Sequence, residues 1–187
     1  MKSINKLLVI AIFVAITAST VLFAGQNAIN KEDHMKEMHQ KLGIELFNKS
    51  WELLLKPDRT PDDVAVLVNT VHASLWHWRQ LEQPINVLRG EWMVCHVYTL
   101  LEHKEEALYH ANNVMRLKEK INPTGWDPAY CYEAMARVMA LHGNKNEFQR
   151  YYALALEAGE KIAEDGDRQQ LDADLNDEYW FGMRDQP

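Results

Sequence analysis

The chain has 187 residues, 47% of them apolar, with eight glycines, six prolines and a net charge of −7. This composition excludes collagen-like and low-complexity disordered chains, and the length suits one domain or a short helical array. The acidic balance argues against nucleic acid as the main partner, because binding to phosphates requires a basic surface.

The first segment of the chain has the pattern of a secretory signal. Lys2 and Lys6 precede an uncharged, largely apolar run over residues 7–23, which is typical of a signal sequence. Ala24 is a candidate cleavage residue, although Leu22 is bulky for the −3 position. The alternatives are a retained N-terminal membrane anchor, which would place the acidic body outside, and a buried core helix.

We therefore predict a signal peptide or membrane anchor over residues 1–24 and a single helical domain over residues 25–187. The protein is expected to be exported, either periplasmic or secreted, with membrane contact only through residues 1–24 if they stay attached. Without these residues, which hold two lysines and no acid, the body has 18 basic and 27 acidic side chains.

Export bears on the two cysteines, Cys95 and Cys131. An oxidising compartment would permit a disulfide between them. The alternative is that both are small, buried residues on helices, as free cysteines often are. The sequence leaves the two interpretations open.

The body of the chain shows helical periodicity, and no long stretch alternates with period two. Thr60 before Pro61 and Asn144 before Glu147 have the sequence of helix N-caps, and Asp165 to Asp167 forms a predicted break. Seven helices joined by short loops are predicted, over about residues 28–55, 61–78, 84–101, 105–120, 127–141, 145–163 and 168–177.

Two of the predicted helix pairs share one register. At the same offsets, 41 residues apart, the first pair has Cys95, Tyr98, Ala107, Ala111 and Val114, and the second has Ala136, Met139, Phe148, Tyr152 and Ala155. Small residues allow paired helices to approach, and large ones fill the space between pairs. This spacing resembles the tetratricopeptide repeat over about residues 84–163. It departs from that repeat in its longer period, in lacking the consensus Trp and Leu-Gly, and in its late proline, Pro123.

A second resemblance extends over about residues 46–175. Its motifs are LFNKSWELL at residues 46–54, RTP at 59–61, HAS at 72–74, HW at 77–78, RGEW at 89–92, VY at 97–98 and ALYHA at 107–111. They resemble a bacterial family of uncharacterised tetratricopeptide-like proteins. The resemblance implies an all-α, tetratricopeptide-like α-α superhelix of antiparallel helix pairs, and it supplies no catalytic residue.

The densest group of polar and aromatic side chains lies on the second and third predicted helices. One interpretation is a pocket in which histidines bind a ligand or transfer protons, with Glu91 as their partner, Arg89 as an anion clamp and tryptophans as walls. The other interpretation is that the tryptophans pack between helices and the charges lie on the surface. The group consists of His72, Trp76, His77, Trp78, Arg89, Glu91, Trp92 and His96.

The spacing within this group does not favour a metal site, and no metal or cofactor is predicted. His72 and His77 are five residues apart, which puts them on different faces of one helix. His96, His103 and His110 recur every seven residues, but a predicted break near residues 102–104 interrupts that stripe. The acidic segment near the C-terminus lacks the spacing of a calcium loop.

Three functional hypotheses follow. The first is a non-enzymatic module that binds a protein or peptide on a concave surface, since the chain lacks G-x-S-x-G, P-loop, Rossmann and CxxC motifs. The second is a ligand-binding protein or enzyme using His72, His77, Arg89, Glu91 and His96. The third is an oligomerisation surface. The aromatics expected to be exposed in the first case are Trp76, Trp78, Trp92, Trp126, Tyr130 and Tyr132.

Overall fold

The computed structural model describes residues 31–177 and 180–184. These residues form seven α-helices and no strand, so the predicted all-α class is confirmed for this part of the chain. The predicted signal or anchor over residues 1–24 lies outside the described residues. Within the described ranges, no helix is both long enough and apolar enough to cross a membrane.

The helices follow one another with short connections. Residues 31–54 belong to α1. The others are α2 (Pro61–Arg79), α3 (Pro84–Leu100), α4 (Lys104–Ile121), α5 (Asp127–Leu141), α6 (Lys145–Gly159) and α7 (Asp165–Leu175). The predicted bounds of α2 to α5 are therefore confirmed to within one residue at each end.

The predictions for the ends of α6 and α7 were wrong. Helix α6 ends at Gly159, where a Cβ atom would lie only 2.6 Å from Leu171 Cδ2, because α7 returns against this end. Asp165 and Asp167, predicted to break the helix, lie in the first turn of α7. Acidic side chains stabilise that position through the positive end of the helix dipole.

The predicted caps are present where the local sequence contains the full motif. Thr60 and Asp63 form a reciprocal capping box at the start of α2, followed by Pro61 in the first turn. At α6 only half of the box forms. Asn144 Oδ1 accepts from the Glu147 backbone N–H at 3.3 Å, while the Glu147 carboxylate pairs with Arg150.

Successive helices pack as antiparallel pairs, with α3 against α4 and α5 against α6, and α3 also contacts α5. Burial matches at four of the five positions of the repeated register, and the exception is Ala111, which is buried while its equivalent Tyr152 is half-buried. Cys95, Ala107 and Val114 are buried in the first, and their equivalents Ala136, Phe148 and Ala155 are buried in the second, whereas Tyr98 and Met139 are both half-buried. Small residues therefore lie at equivalent close contacts between paired helices.

The expectation that Trp78 and Trp92 are exposed was wrong, because both are buried. Gly43 on α1 makes room for the Trp78 indole, since a Cβ at Gly43 would lie 2.8 Å from Trp78 Cε2. Trp76 is 54% exposed, as expected, and Trp126 is half-buried. Burial of an indole removes more apolar surface from water than burial of an aliphatic side chain does.

Both cysteines are free thiols and both are buried. The Cys95 thiol donates to the carbonyl of Ala107 at 3.5 Å across the α3–α4 contact. Burial raises the pKa of each thiol to about 12. They fill small spaces between helices, which agrees with the second of the two interpretations that the sequence left open.

Candidate functional site

The structure separates the five side chains of the predicted His/Glu/Arg pocket into four contact groups. His72 and Glu91 lie in one network, while His77 faces α1, Arg89 faces the start of α5, and His96 lines a cavity beside α3 and α5. No described contact joins His77, Arg89 or His96 to the Glu91 carboxylate. The convergence that this hypothesis required is therefore absent among the described residues.

Glu91 on α3 is 1% exposed and contacts side chains of both α2 and α4. Its carboxylate accepts from Arg79 on α2, lies 2.6 Å from Nδ1 of His110 on α4, and accepts from Asn113 Nδ2 at 3.3 Å. Burial alone would raise the pKa of Glu91, but the hydrogen bonds from His110 and Arg79 outweigh it and lower the pKa. Glu91 therefore forms a buried ion pair and is not a surface charge. Its contacts link neighbouring helices, which indicates a structural role.

The rings beside this network form a stack. His103 and His110 each lie nearly parallel to Tyr98, with centroid distances of 5.7 and 5.8 Å. The turn after α3 therefore brings together two of the three histidines that are spaced seven residues apart, a spacing that was not predicted to form a site. His72 Nε2 lies 2.9 Å from the Tyr98 hydroxyl. Burial and the neighbouring His110 lower the pKa of His72.

The remaining polar members of the group are engaged elsewhere. His77 Nδ1 lies 2.8 Å from Nδ1 of His39 on α1, and the Trp76 ring lies beside both imidazoles. Arg89 makes a two-point ion pair with Asp127 at 2.9 Å and stacks over Trp126 at 4.4 Å. Burial and His39 lower the pKa of His77.

A cavity of about 330 Å³ lies on the side of the molecule where the first helices of successive pairs meet. Its lining comes from α1, α3, α5, the end of α7 and the α1–α2 connection, and none of it comes from α2, α4 or α6. We call it the first-helix pocket. It is lined by Trp51, Leu54, Leu55, Lys56, Pro57, Arg59, Trp92, His96, Leu100, Glu133, Arg137, Asp174 and Asp177.

One wall of the first-helix pocket is aromatic. Trp92 and His96, one turn apart on α3, stack at 5.3 Å with an angle of 20° between their rings. Trp51 lies 5.9 Å from Trp92 and 6.2 Å from His96, measured between ring centroids. Leu55 is 75% exposed, so the apolar lining continues to the surface of the molecule.

A buried ion pair lies next to this aromatic wall. Glu133 is 1% exposed and accepts from Arg137 on the same helix and from the Trp92 indole N–H at 3.1 Å. Arg137 also donates to Asp177 at 2.9 Å and to the backbone carbonyl of Asp174 at 2.8 Å. Although burial opposes it, the two carboxylates raise the pKa of Arg137.

His96 is the exception among the polar groups of this pocket. It makes aromatic contacts but no hydrogen bond with any described residue. Burial lowers the pKa of His96, so its imidazole is neutral at neutral pH and has one nitrogen that can donate and one that can accept.

The sequence predicted Trp92 and His96 in a site but missed the residues that complete the pocket. Glu133 and Arg137 are four residues apart, which places them on one helix face, and this spacing was the available signal. Trp51, Asp174 and Asp177 are distant in the sequence, and only tertiary packing brings them to α3 and α5. Among the described residues, no group of three or more His, Cys, Asp or Glu is arranged to hold a metal ion.

Comparisons of this chain with protein-family models, with curated proteins and with solved structures find no match.

Proposed function

We propose that this protein is an exported, tetratricopeptide-like superhelix that binds an extended segment of a partner polypeptide along the inner face formed by its first helices. The observation that supports the proposal is the origin of the first-helix pocket. Its helical lining comes from α1, α3, α5 and the end of α7. In arrays of helix pairs, one helix of each pair lines the inner surface, which is where such proteins hold their ligands.

The chemistry of the pocket suits a peptide better than a nucleic acid. Its lining combines two tryptophans and several aliphatic side chains with charges of both signs. Binding sites for polypeptides are typically enriched in aromatic residues and depleted of unpaired charge at their centre. Leu55 lines the pocket and is 75% exposed, so the apolar lining reaches the surface, where a continuing segment of the partner could lie.

The test is a selection from random 12-residue peptides displayed on phage, with the purified protein as bait. The enriched peptides are then synthesised and titrated by calorimetry. We expect Trp51→Ala to weaken their binding by about tenfold or more, since truncation of a central aromatic anchor commonly costs at least that. Trp76→Ala is the matched control, because Trp76 is exposed on a different face, and it should leave the affinity unchanged.

Two results would count against the proposal. One is the absence of any enriched peptide after repeated selection against a folded bait. The other is enrichment of peptides whose affinity is the same for the wild type and for Trp51→Ala. Urea denaturation of both tryptophan variants shows whether a loss of binding reflects a loss of folded protein.

A second candidate function is the binding of a free small molecule in the same pocket. The volume of about 330 Å³ lies at the lower end of the roughly 300–1,000 Å³ of small-molecule sites, and His96 offers an unengaged polar group there. This candidate retains His96 from the predicted His/Glu/Arg pocket and replaces the other four residues with Trp51, Trp92, Glu133 and Arg137.

A further inference from the structure

The first-helix pocket contains charges of both signs, and each of them already has a partner. Lys56 pairs with Asp63 at 2.6 Å, Arg59 donates to carbonyls at the end of α1, and Arg137 pairs with Glu133 and Asp177. Asp174 accepts from the Tyr130 hydroxyl at 2.7 Å and from Gln170 at 3.0 Å.

At the buried Glu133–Arg137 pair, a charged occupant would have to break the pair or lie beside it without a counter-charge. Both alternatives are costly, because a buried charge without a partner loses its hydration and gains nothing in return. The pocket consequently discriminates against ligands with an ammonium, guanidinium or carboxylate group at their tip.

The polar group that remains available is the neutral imidazole of His96. It stacks on Trp92 and lies 6.2 Å from Trp51, measured between ring centroids, so a group that bonds to it lies beside these aromatic rings. Flat rings pack against such walls in offset or edge-to-face geometry. A phenol hydroxyl can both donate and accept, and it can therefore bond to either tautomer of the imidazole.

We infer that the first-helix pocket binds an uncharged aromatic side chain that carries one hydrogen-bonding group, with tyrosine as the preferred residue. The ring lies against Trp51 and Trp92, and the hydroxyl bonds to His96. This inference rests on the proposed function, since it assigns the anchor residue of the bound segment.

The experiment uses four blocked amino acids as probes, each titrated into the intact protein with detection by ligand-observed NMR. They are N-acetyl-tyrosinamide and the corresponding phenylalanine, lysine and aspartate derivatives. We expect the tyrosine probe to bind about fivefold more tightly than the phenylalanine probe, which is the effect of one neutral hydrogen bond. The lysine and aspartate probes should bind at least tenfold more weakly than the tyrosine probe.

Two substitutions separate the roles of the ring walls and of His96. His96→Phe keeps an aromatic ring but removes both nitrogens, so it should bring the tyrosine-to-phenylalanine preference close to one. Trp51→Ala should weaken both probes alike, and Trp76→Ala should weaken neither. Far-UV circular dichroism and urea denaturation verify that each variant is folded.

The inference is overturned if the tyrosine probe fails to bind, if a charged probe binds as tightly, or if His96→Phe leaves the preference unchanged. Its failure is distinguishable from failure of the proposed function. Selected peptides that depend on Trp51 but carry a charged or aliphatic anchor uphold peptide binding and reject the tyrosine anchor. Binding of the tyrosine probe without any enriched peptide supports the anchor chemistry and rejects the peptide partner.

Discussion

Glu102 and Gly143, which are 41 residues apart, end the first helices of two successive pairs in the same left-handed backbone conformation, with φ of 58° and 75°. The turns around them are equivalent. The backbone N–H of His103 donates to the backbone carbonyl of Tyr98, and the backbone N–H of Asn144 donates to the backbone carbonyl of Met139, both at 2.9 Å. The repeat thus extends to the geometry of its turns, although the two sequences differ at this position.

This equivalence predicts opposite effects for two substitutions. Glu102→Gly should stabilise the protein by roughly 0.5–1 kcal/mol, because a side chain at positive φ is strained and glycine is not. Gly143→Ala should destabilise it by about 1 kcal/mol for the same reason. A Cβ there would contact only Met183, at 3.9 Å. Urea denaturation measures both changes.

Glu102→Ala is the matched control for the first substitution. It removes the carboxylate but keeps a side chain at positive φ, so the free energy of unfolding should change by less than about 0.5 kcal/mol. If Glu102→Ala stabilises the protein as much as Glu102→Gly does, the cause is the charge and the backbone explanation fails.

Gly43 supports a second prediction, about packing between α1 and α2. Gly43→Ala should destabilise the protein by about 1–3 kcal/mol, because the added methyl would press on the Trp78 indole. Alanine has a higher helix propensity than glycine, which stabilises the helix by about 1 kcal/mol and offsets part of this loss of stability. The matched control is Gly166→Ala in α7, where an added Cβ would lie more than 4 Å from every described atom outside its chain neighbours and its own helix backbone. That variant should be slightly more stable than the wild type. Destabilisation by both variants to the same extent would contradict the packing argument.

The Glu91 network predicts a large loss of stability. Glu91→Ala should cost about 3–5 kcal/mol, since it leaves His110 and Asn113 without their buried partner. Glu91→Gln keeps the shape but loses the charge, and it should cost less. The control Glu52→Gln removes an exposed ion pair with Lys49 at 2.6 Å, which should change the free energy of unfolding by less than about 1 kcal/mol.

The same carboxylate predicts a dependence of stability on pH. The pKa of Glu91 is lowered in the folded state, so its charge contributes stability above the unfolded pKa and loses that contribution as pH falls through the folded pKa. The difference in unfolding free energy between the wild type and Glu91→Gln should be present at about pH 5. It should shrink below about pH 4.5. A difference that stays constant down to about pH 3 would reject the assignment.

The burial of both cysteines leads to a prediction about their alkylation. Burial and a pKa of about 12 keep both thiols protonated and inaccessible, and reactivity requires the thiolate. Native protein treated with iodoacetamide should keep an unmodified mass, and protein treated in about 6 M guanidinium should gain two alkyl groups. A reducing agent should leave the melting temperature unchanged. Resistance of the denatured protein to alkylation would instead indicate a disulfide.

Local sequence signals determined much of the fold. Capping residues and prolines such as Thr60, Pro61 and Pro84 act on the backbone within one turn, so they set helix ends regardless of what packs above them. The 41-residue register likewise follows from close approach of small residues, which is a local requirement of paired helices. The end of α6 was missed because it depends on contact between Gly159 and Leu171, which belong to different helices.

The site depended on tertiary structure. Helical periodicity shows which residues share a face, but not which face of another helix they meet. Glu91 was therefore interpreted either as a partner of histidines in a pocket or as a surface charge, and it lies at the centre of a buried network. His96 and Trp92 were predicted to join His72 and His77, and they lie instead with Trp51, Glu133 and Arg137. The composition of this chain determined its acidic character and the local pattern determined its helices, because both act without long-range contacts, and only the packing of α1, α3 and α5 determined which residues line the first-helix pocket.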